Sequence, residues 1–125
     1  MTVYLDTHVL IWLAQGDVDK VSARASSVID DNELLVSPAV ILELELLHEM
    51  GRVRMPARAL IAILESQVGL KVCNRHFDDV VTHAVGEKWT RDPFDRLIVA
   101  NAKAAAAPLV TKDERIRKHY RQALW

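Results

Sequence analysis

Apolar positions along the 125-residue chain fall into short β-prone runs separated by longer stretches with helical spacing. Val3-Tyr4-Leu5 predicts a strand that stops at Asp6-Thr7-His8. Val9, Leu10, Trp12 and Leu13 then give a helical pattern ended by Gly16. Lys20 to Ile29 predicts a second helix, and Glu33 to Ser37 a second strand. Ser37-Pro38 starts a helix, with Ser as cap and Pro in the first turn, that runs to about Met50 and is closed by Gly51. Ala57 to Gln67 predicts a further helix, Leu70 to Cys73 a weaker strand, and Phe77 to about Lys88 another helix. Asp92-Pro93-Phe94-Asp95 opens a helix expected to reach Ala107. Leu109 to Thr111 predicts a strand, Asp113 to His119 a short helix, and Ala123 to Trp125 a last strand. Strands alternating with helices predict one α/β/α sandwich over residues 1–125, with a mainly parallel central sheet flanked by helices. In such sheets, sites form outside the carboxyl ends of the strands.

Composition removes several classes. Apolar residues make up 50% and charged residues 26%, an ordinary globular balance. The single cysteine, Cys73, excludes an internal disulfide framework and a cysteine zinc cluster, and a reduced, cytoplasmic setting is expected. No apolar run is long enough for a membrane span; Val40–Leu47 is interrupted by Glu43 and Glu45. The start Met1-Thr-Val-Tyr-Leu-Asp6 has no signal-peptide pattern. The net charge of −1 hides a split: residues 1–50 carry nine acids against Lys20 and Arg24, and residues 51–125 carry eight acids against fourteen Lys/Arg. A uniformly basic coat is excluded, a local basic surface is not.

Four acids sit where their chemistry needs an account. Asp6 and Asp113 lie just past strand ends, where each is also a good helix cap. On a helical wheel, Glu43 falls among Val40, Leu46, Leu47 and Met50, and Asp95 shares a side with Ile98, Val99 and Ala102. A carboxylate on an apolar arc needs a cationic partner, a proton or a metal, because burying it unpaired is costly. Asp92 is well explained as a cap; Asp95 is less so, since its arc continues into apolar positions. Four carboxylates gathered at one sheet edge repel one another unless a cation is present. An all-oxygen ligand set selects a hard divalent ion, Mg²⁺ or Mn²⁺, and such a site suits phosphoryl chemistry.

The segments Leu5-Asp-Thr-His-Val-Leu-Ile-Trp12, Ser37-Pro-Ala-Val-Ile-Leu-Glu43 with Gly51-Arg52-Val53, Arg91-Asp-Pro-Phe-Asp-Arg-Leu-Ile-Val-Ala100 and Val110-Thr-Lys-Asp113 span almost the whole chain. In that order they resemble the PIN-domain ribonucleases, and among them the VapC-type toxins of bacterial toxin–antitoxin pairs. The resemblance implies an acidic quartet at Asp6, Glu43, Asp95 and Asp113 that serves as both catalytic and metal-binding set. Asp92 would be an additional acid nearby; Asp95 is preferred for the quartet because it precedes the Leu-Ile-Val-Ala run. Thr7 and Thr111 take hydroxyl positions that help orient acids or water. Also implied are dependence on Mg²⁺ or Mn²⁺ and in-line attack of an activated water on an RNA phosphodiester. A homodimer and a VapB-type antitoxin that puts a basic side chain into the acidic site complete the family picture. Pro38 directly after Ser37 departs from the family pattern but fits a helix start.

Basic groups available for RNA phosphates include Arg52, Arg54, Arg58, Arg96, Lys112, Arg115, Arg117 and Lys118. Arg96 and Lys112 stand out because they neighbour the acids, and Arg52 and Arg115 join them as candidate substrate contacts. None of the five histidines shows H-E-x-x-H spacing. His8 adjoins Asp6 and offers a substrate contact, but packing at a helix start is the favoured reading; Cys73 reads as a small buried hydrophobe; Trp12, Trp89 and Trp125 offer base-stacking rings, with core or dimer contact favoured for Trp12. Three other functions compete. A phosphoacceptor receiver domain needs an acidic pair after the first strand and an Asp after the third, whereas here the third ends in Cys73-Asn74. An Asp-x-Asp phosphatase fails at Asp6-Thr7-His8. A degenerate PIN domain that only binds RNA or protein is disfavoured by the complete quartet.

Overall fold

The computed structural model describes residues 1–125. Five strands, β1 (Thr2–Leu5), β2 (Glu33–Val36), β3 (Lys71–Val72), β4 (Leu109–Val110) and β5 (Ala123–Leu124), form one sheet in the order β3-β2-β1-β4-β5. Every pairing is parallel. Seven helices connect them: α1 (Thr7–Gln15), α2 (Ala23–Asp31), α3 (Pro38–Glu49), α4 (Ala57–Val68), α5 (Phe77–Val85), α6 (Pro93–Ala104) and α7 (Glu114–His119). The predicted α/β/α sandwich is therefore the observed architecture. Both faces of the sheet are covered, as a parallel sheet requires. Val3 pairs with Leu34 and Tyr4 with Leu35, so alternation sends Val3, Leu5, Leu34 and Val36 into the core from one side. No helix is long and apolar enough to cross a membrane.

Element boundaries shift where capping overrides apolar spacing. The second helix begins at Ala23 rather than Lys20, because Ser22 caps it by accepting from Ala25 N at 3.0 Å; Val18–Lys20 is instead a 3₁₀ turn. Ser37 and Asp92 cap α3 and α6 as predicted, each followed by a first-turn proline. Glu45, which a wheel sends to solvent, accepts from Ala57 N at 3.0 Å and so satisfies the start of α4, whose cap residue Pro56 offers no side-chain acceptor. Cys73 is more than a small hydrophobe. Its sulfur accepts from Tyr4 Oη at 3.0 Å and Asn101 Nδ2 at 3.3 Å, and Ser37 Oγ donates to Asn101 Oδ1 at 2.6 Å. This buried network ties β1, α3 and α6 to the end of β3.

Helix α6 stops at Ala104, three residues short of the predicted Ala107. The chain turns through Ala106, whose φ of +50° is left-handed, and Pro108 follows. Ala106 N donates to Lys103 O and Ala107 N to Ala102 O, the closing pattern that usually employs glycine. A Cβ in the left-handed region is strained. Ala106→Gly is therefore expected to stabilise the protein by roughly 0.5–1 kcal/mol, after allowing for glycine's freer unfolded state. Chemical denaturation measures this, and an unchanged or lower midpoint would show that the turn carries no such strain.

Candidate active site

The sheet order places β1 beside β4, with β2 and β3 running out on one side and β5 on the other. Between β1 and β4 the connections change direction, and at such a switch point a crevice opens beyond the strand ends. Leu5 pairs with Val110, so Asp6 and Thr111 are the next residues along the same register. Asp6 N donates to Val110 O at 3.0 Å, and Thr111 Oγ1 donates to Asp6 Oδ2 at 2.6 Å. The same threonine oxygen accepts from Asp113 N at 3.1 Å. Thr111 thus couples two acids from adjacent strands. Thr7 does the same on the other side: its N–H donates to Asp6 Oδ1 at 2.8 Å, and its hydroxyl donates to Glu43 Oε1 of α3. Both threonines are buried.

Three of the acids are also helix caps. Asp6 precedes α1, Asp92 Oδ1 accepts from Phe94 N and Asp95 N, and Asp113 Oδ1 accepts from Arg115 N and Ile116 N. In Asp92 and Asp113 the cap uses only one oxygen of each carboxylate. Capping and ligation are therefore compatible at the same residue, and the positive ends of α1, α6 and α7 all approach one place. That place is a cavity of about 370 Å³ lined by Asp6, His8, Val9, Trp12, Glu43, Asp92, Asp95, Lys112 and Asp113. All four predicted quartet acids and Asp92 line it. A larger groove of about 710 Å³ runs from Met1 and Thr2 past Tyr4 and Leu35 to Cys73, and Asp79 is its only carboxylate.

Electrostatics in the cavity are severe. Neither ion pair of the protein, Lys20–Asp17 or Lys103–Glu87, involves a cavity acid. Burial pushes the Asp95 carboxyl up to about 7, reinforced by the charges of Asp92, Asp6, Asp113 and Glu43. Asp6 is raised by burial, against the hydrogen bonds from Thr111 and Thr7. Glu43 is raised by burial first and then by Asp6 and Asp92, with the Thr7 hydrogen bond opposing. Such a set is hard-oxygen in character and short of positive charge, which fits Mg²⁺ or Mn²⁺. No three of these side chains close on one point as a compact cage. Mg²⁺ does not need one, since it keeps several waters and is commonly held by one or two carboxylates.

The remaining predicted residues separate clearly. Lys112 lines the cavity. Arg96 does not: half-buried, it donates from Nε to Thr90 O at 2.9 Å, one helical step away from Asp95 and facing elsewhere. Arg115 donates to Trp89 O and lies 5.7 Å from the Trp89 ring centre. Arg52 is exposed beyond α3 and outside the cavity lining. Arg96 and Arg115 are thus occupied as struts. Together with the pair between Lys103 and Glu87, which also accepts from Trp89 Nε1 at 2.7 Å, they fasten the loop that delivers Asp92. His8 and Trp12, expected to pack, both line the acidic cavity. His8 lies two residues past Asp6 and Trp12 one turn further along α1.

Comparison with known proteins follows the same lines. The PIN domain family model matches residues 3–122. Ribonuclease VapC22 of Mycobacterium tuberculosis is 32% identical over 120 residues, covering 94% of this chain and 92% of the relative. Among solved structures, VapBC-1 from nontypeable Haemophilus influenzae aligns with a TM-score of 0.64 at 21% identity, covering 100% of this chain and 96% of that one. VapBC2 from Rickettsia felis, bound to a DNA fragment from the promoter, aligns with a TM-score of 0.62 at 17% identity, covering 94% and 92%. At these identities the two structures speak to the fold.

The raised acids make a pH prediction. Asp95 binds its proton more tightly folded, at about 7, than its ordinary value of 3.8. Between those values the folded state holds more protons than the unfolded, so this residue's contribution to stability falls as pH rises from about 4 to about 7. In chelator, the melting temperature of Asp95→Asn is expected to exceed the wild type's by a margin that grows across that window and levels off above it. A margin independent of pH would contradict the assignment.

Proposed function

This chain belongs to the PIN-domain family, and we propose that it is a Mg²⁺- or Mn²⁺-dependent endoribonuclease toxin held in check by a cognate antitoxin. The observation that carries the reading is the cavity itself: five carboxylates from four elements and loops line it, none is ion-paired, and two buried threonines orient them. A receiver-like module does not need a Glu from α3 and an Asp from α6 in the same crevice.

In this reading Asp6, Glu43, Asp95 and Asp113 form the catalytic and metal-holding set, with Asp92 at its edge. A divalent ion bound there supplies a polarised water and neutralises charge on the scissile phosphate. Asp6 is the member of the set with both carboxylate oxygens held, Oδ1 by Thr7 N and Oδ2 by Thr111 Oγ1. Asp95, once a bound cation has displaced its proton, would stand as a free carboxylate able to orient an attacking water. Thr7 and Thr111 act as positioning residues through the acids they hold. Lys112, at the cavity mouth, supplies a point charge for a phosphate oxygen. No histidine nucleophile is required.

A partner protein is supported in two ways. The structural neighbours include VapBC assemblies and a toxin–antitoxin complex from Klebsiella pneumoniae. An acidic cavity also accepts the basic side chain of an inhibitory tail. Exposed apolar side chains, among them Leu42 at 57% and Phe77 at 66%, border a separate small cavity with Pro38, Val80 and Leu97 and give a surface for a homodimer.

Purified protein is expected to cut structured RNA in Mg²⁺ and to stop in excess chelator. Asp6→Asn and Asp95→Asn are expected to lower the rate by at least about 10³-fold, the scale of losing a principal charged group in such sites. Thr111→Val, which unhooks Asp6 but leaves its charge, is expected to lose less. Cleavage that persists in both Asn variants or in chelator would overturn the assignment. Light scattering addresses the dimer: twice the 14.1 kDa chain mass is expected, falling to one chain in Leu42→Glu, and a monomeric wild type would remove it. Co-expression with the product of an adjacent short reading frame is expected to suppress cleavage; undiminished cleavage would count against that partner.

A further inference from the structure

The acidic cavity has one wall that catalysis by carboxylates leaves unexplained. His8 and Trp12, one turn apart on α1, line it together with Lys112. Lys112 Nζ lies 5.8 Å from the Trp12 ring centre. His8 and Trp125 approach the same indole at 6.1 Å and 5.7 Å, both tilted, with interplanar angles of 48° and 58°. No ring is stacked parallel on Trp12. Trp89 is the opposite case: His119 lies parallel to it at 5.0 Å and 6°, and the Arg115 guanidinium covers it as well. Trp125 does not line the cavity. Of the three tryptophans, Trp12 alone borders the acids, and what lies over its ring is a lysine ammonium and not a parallel ring.

We propose that Trp12 is the base-stacking surface of the site, taking an unpaired base next to the scissile phosphate while Lys112 meets the phosphate. The inference rests on the ribonuclease reading above and deepens it, since it assigns the residue of this chain that would tell an unpaired base from a paired one. A base reaches an indole face-on only when it is out of a helix. Stacking tolerates any base, because all have a π-face, so Trp12 selects for strandedness more than for sequence. Lys112 lies over the indole on a flexible stem, so its ammonium can leave that face to the base and move to the phosphate that follows it.

Fluorescence anisotropy with 5′-labelled single-stranded RNA octamers in Mg²⁺ tests this, with the Asp95→Asn chain used so that the RNA stays intact. Adding Trp12→Ala is expected to weaken binding about tenfold, the loss of one base–aromatic stack, and adding Trp12→Phe to weaken it far less. An abasic nucleotide walked along the octamer should weaken binding at one position in the Trp12 chain and at none in Trp12→Ala. A self-paired hairpin stem of equal charge should bind equally weakly to both. Unchanged melting temperature on adding Mn²⁺ to the Trp12 variants, relative to their parent, shows that the acids are undisturbed. Octamer binding that is the same with and without Trp12, or an abasic profile that survives Trp12→Ala, would overturn the inference while leaving the ribonuclease reading in place. If wild-type protein neither binds nor cleaves RNA, the ribonuclease reading falls and this inference with it.

Discussion

Mutual repulsion among five carboxylates is what the rest of this structure answers to. Asp6, Glu43, Asp92, Asp95 and Asp113 share one small cavity with no ion-paired side chain among them. Burial and like charge together hold protons on Asp95 up to about pH 7. Asp6 is buried and Glu43 and Asp95 are half-buried, where an unpaired charge is costly, while Asp92 and Asp113 reach solvent.

What holds the acids in place is backbone geometry rather than countercharge. The parallel register of β1 and β4 sets Asp6 beside Thr111. The starts of α1, α6 and α7 supply N–H groups to Asp6, Asp92 and Asp113. Helix-end dipoles and the two threonine hydroxyls offset part of the negative charge without occupying the cavity. The loop bearing Asp92 is clamped by Arg96, Arg115 and the Glu87–Lys103 pair, so positive charge is spent on the frame and kept out of the site, Lys112 excepted.

Much of this was legible in the sequence because caps and strand ends are local signals. Asp92-Pro93 and Ser37-Pro38 announce helix starts, and a residue just past a parallel strand must face the crevice. The fate of α3 was less legible. Its buried stripe runs through Val40 and Leu44, with Glu43 at the margin, whereas Leu46 and Met50 on Glu43's other side are exposed. A wheel cannot separate apolar residues that meet the core from apolar residues left bare. Arg96 misled for a related reason: adjacency to Asp95 along a helix is a turn of about 100°, not proximity. Packing is the local reading of His8 and Trp12 because spacing alone does not tell which face of α1 meets a cavity completed by residues 43 to 113.

Calorimetric titration of Mn²⁺ into the protein at neutral pH, repeated in two buffers of different ionisation enthalpy, bears most directly on the central claim. Cation binding must displace the proton that burial and like charge hold on Asp95. Saturable binding with net proton release is predicted for the wild type, with both lost in Asp6→Asn. Absence of binding, or binding that releases no protons and survives Asp6→Asn, would contradict the account.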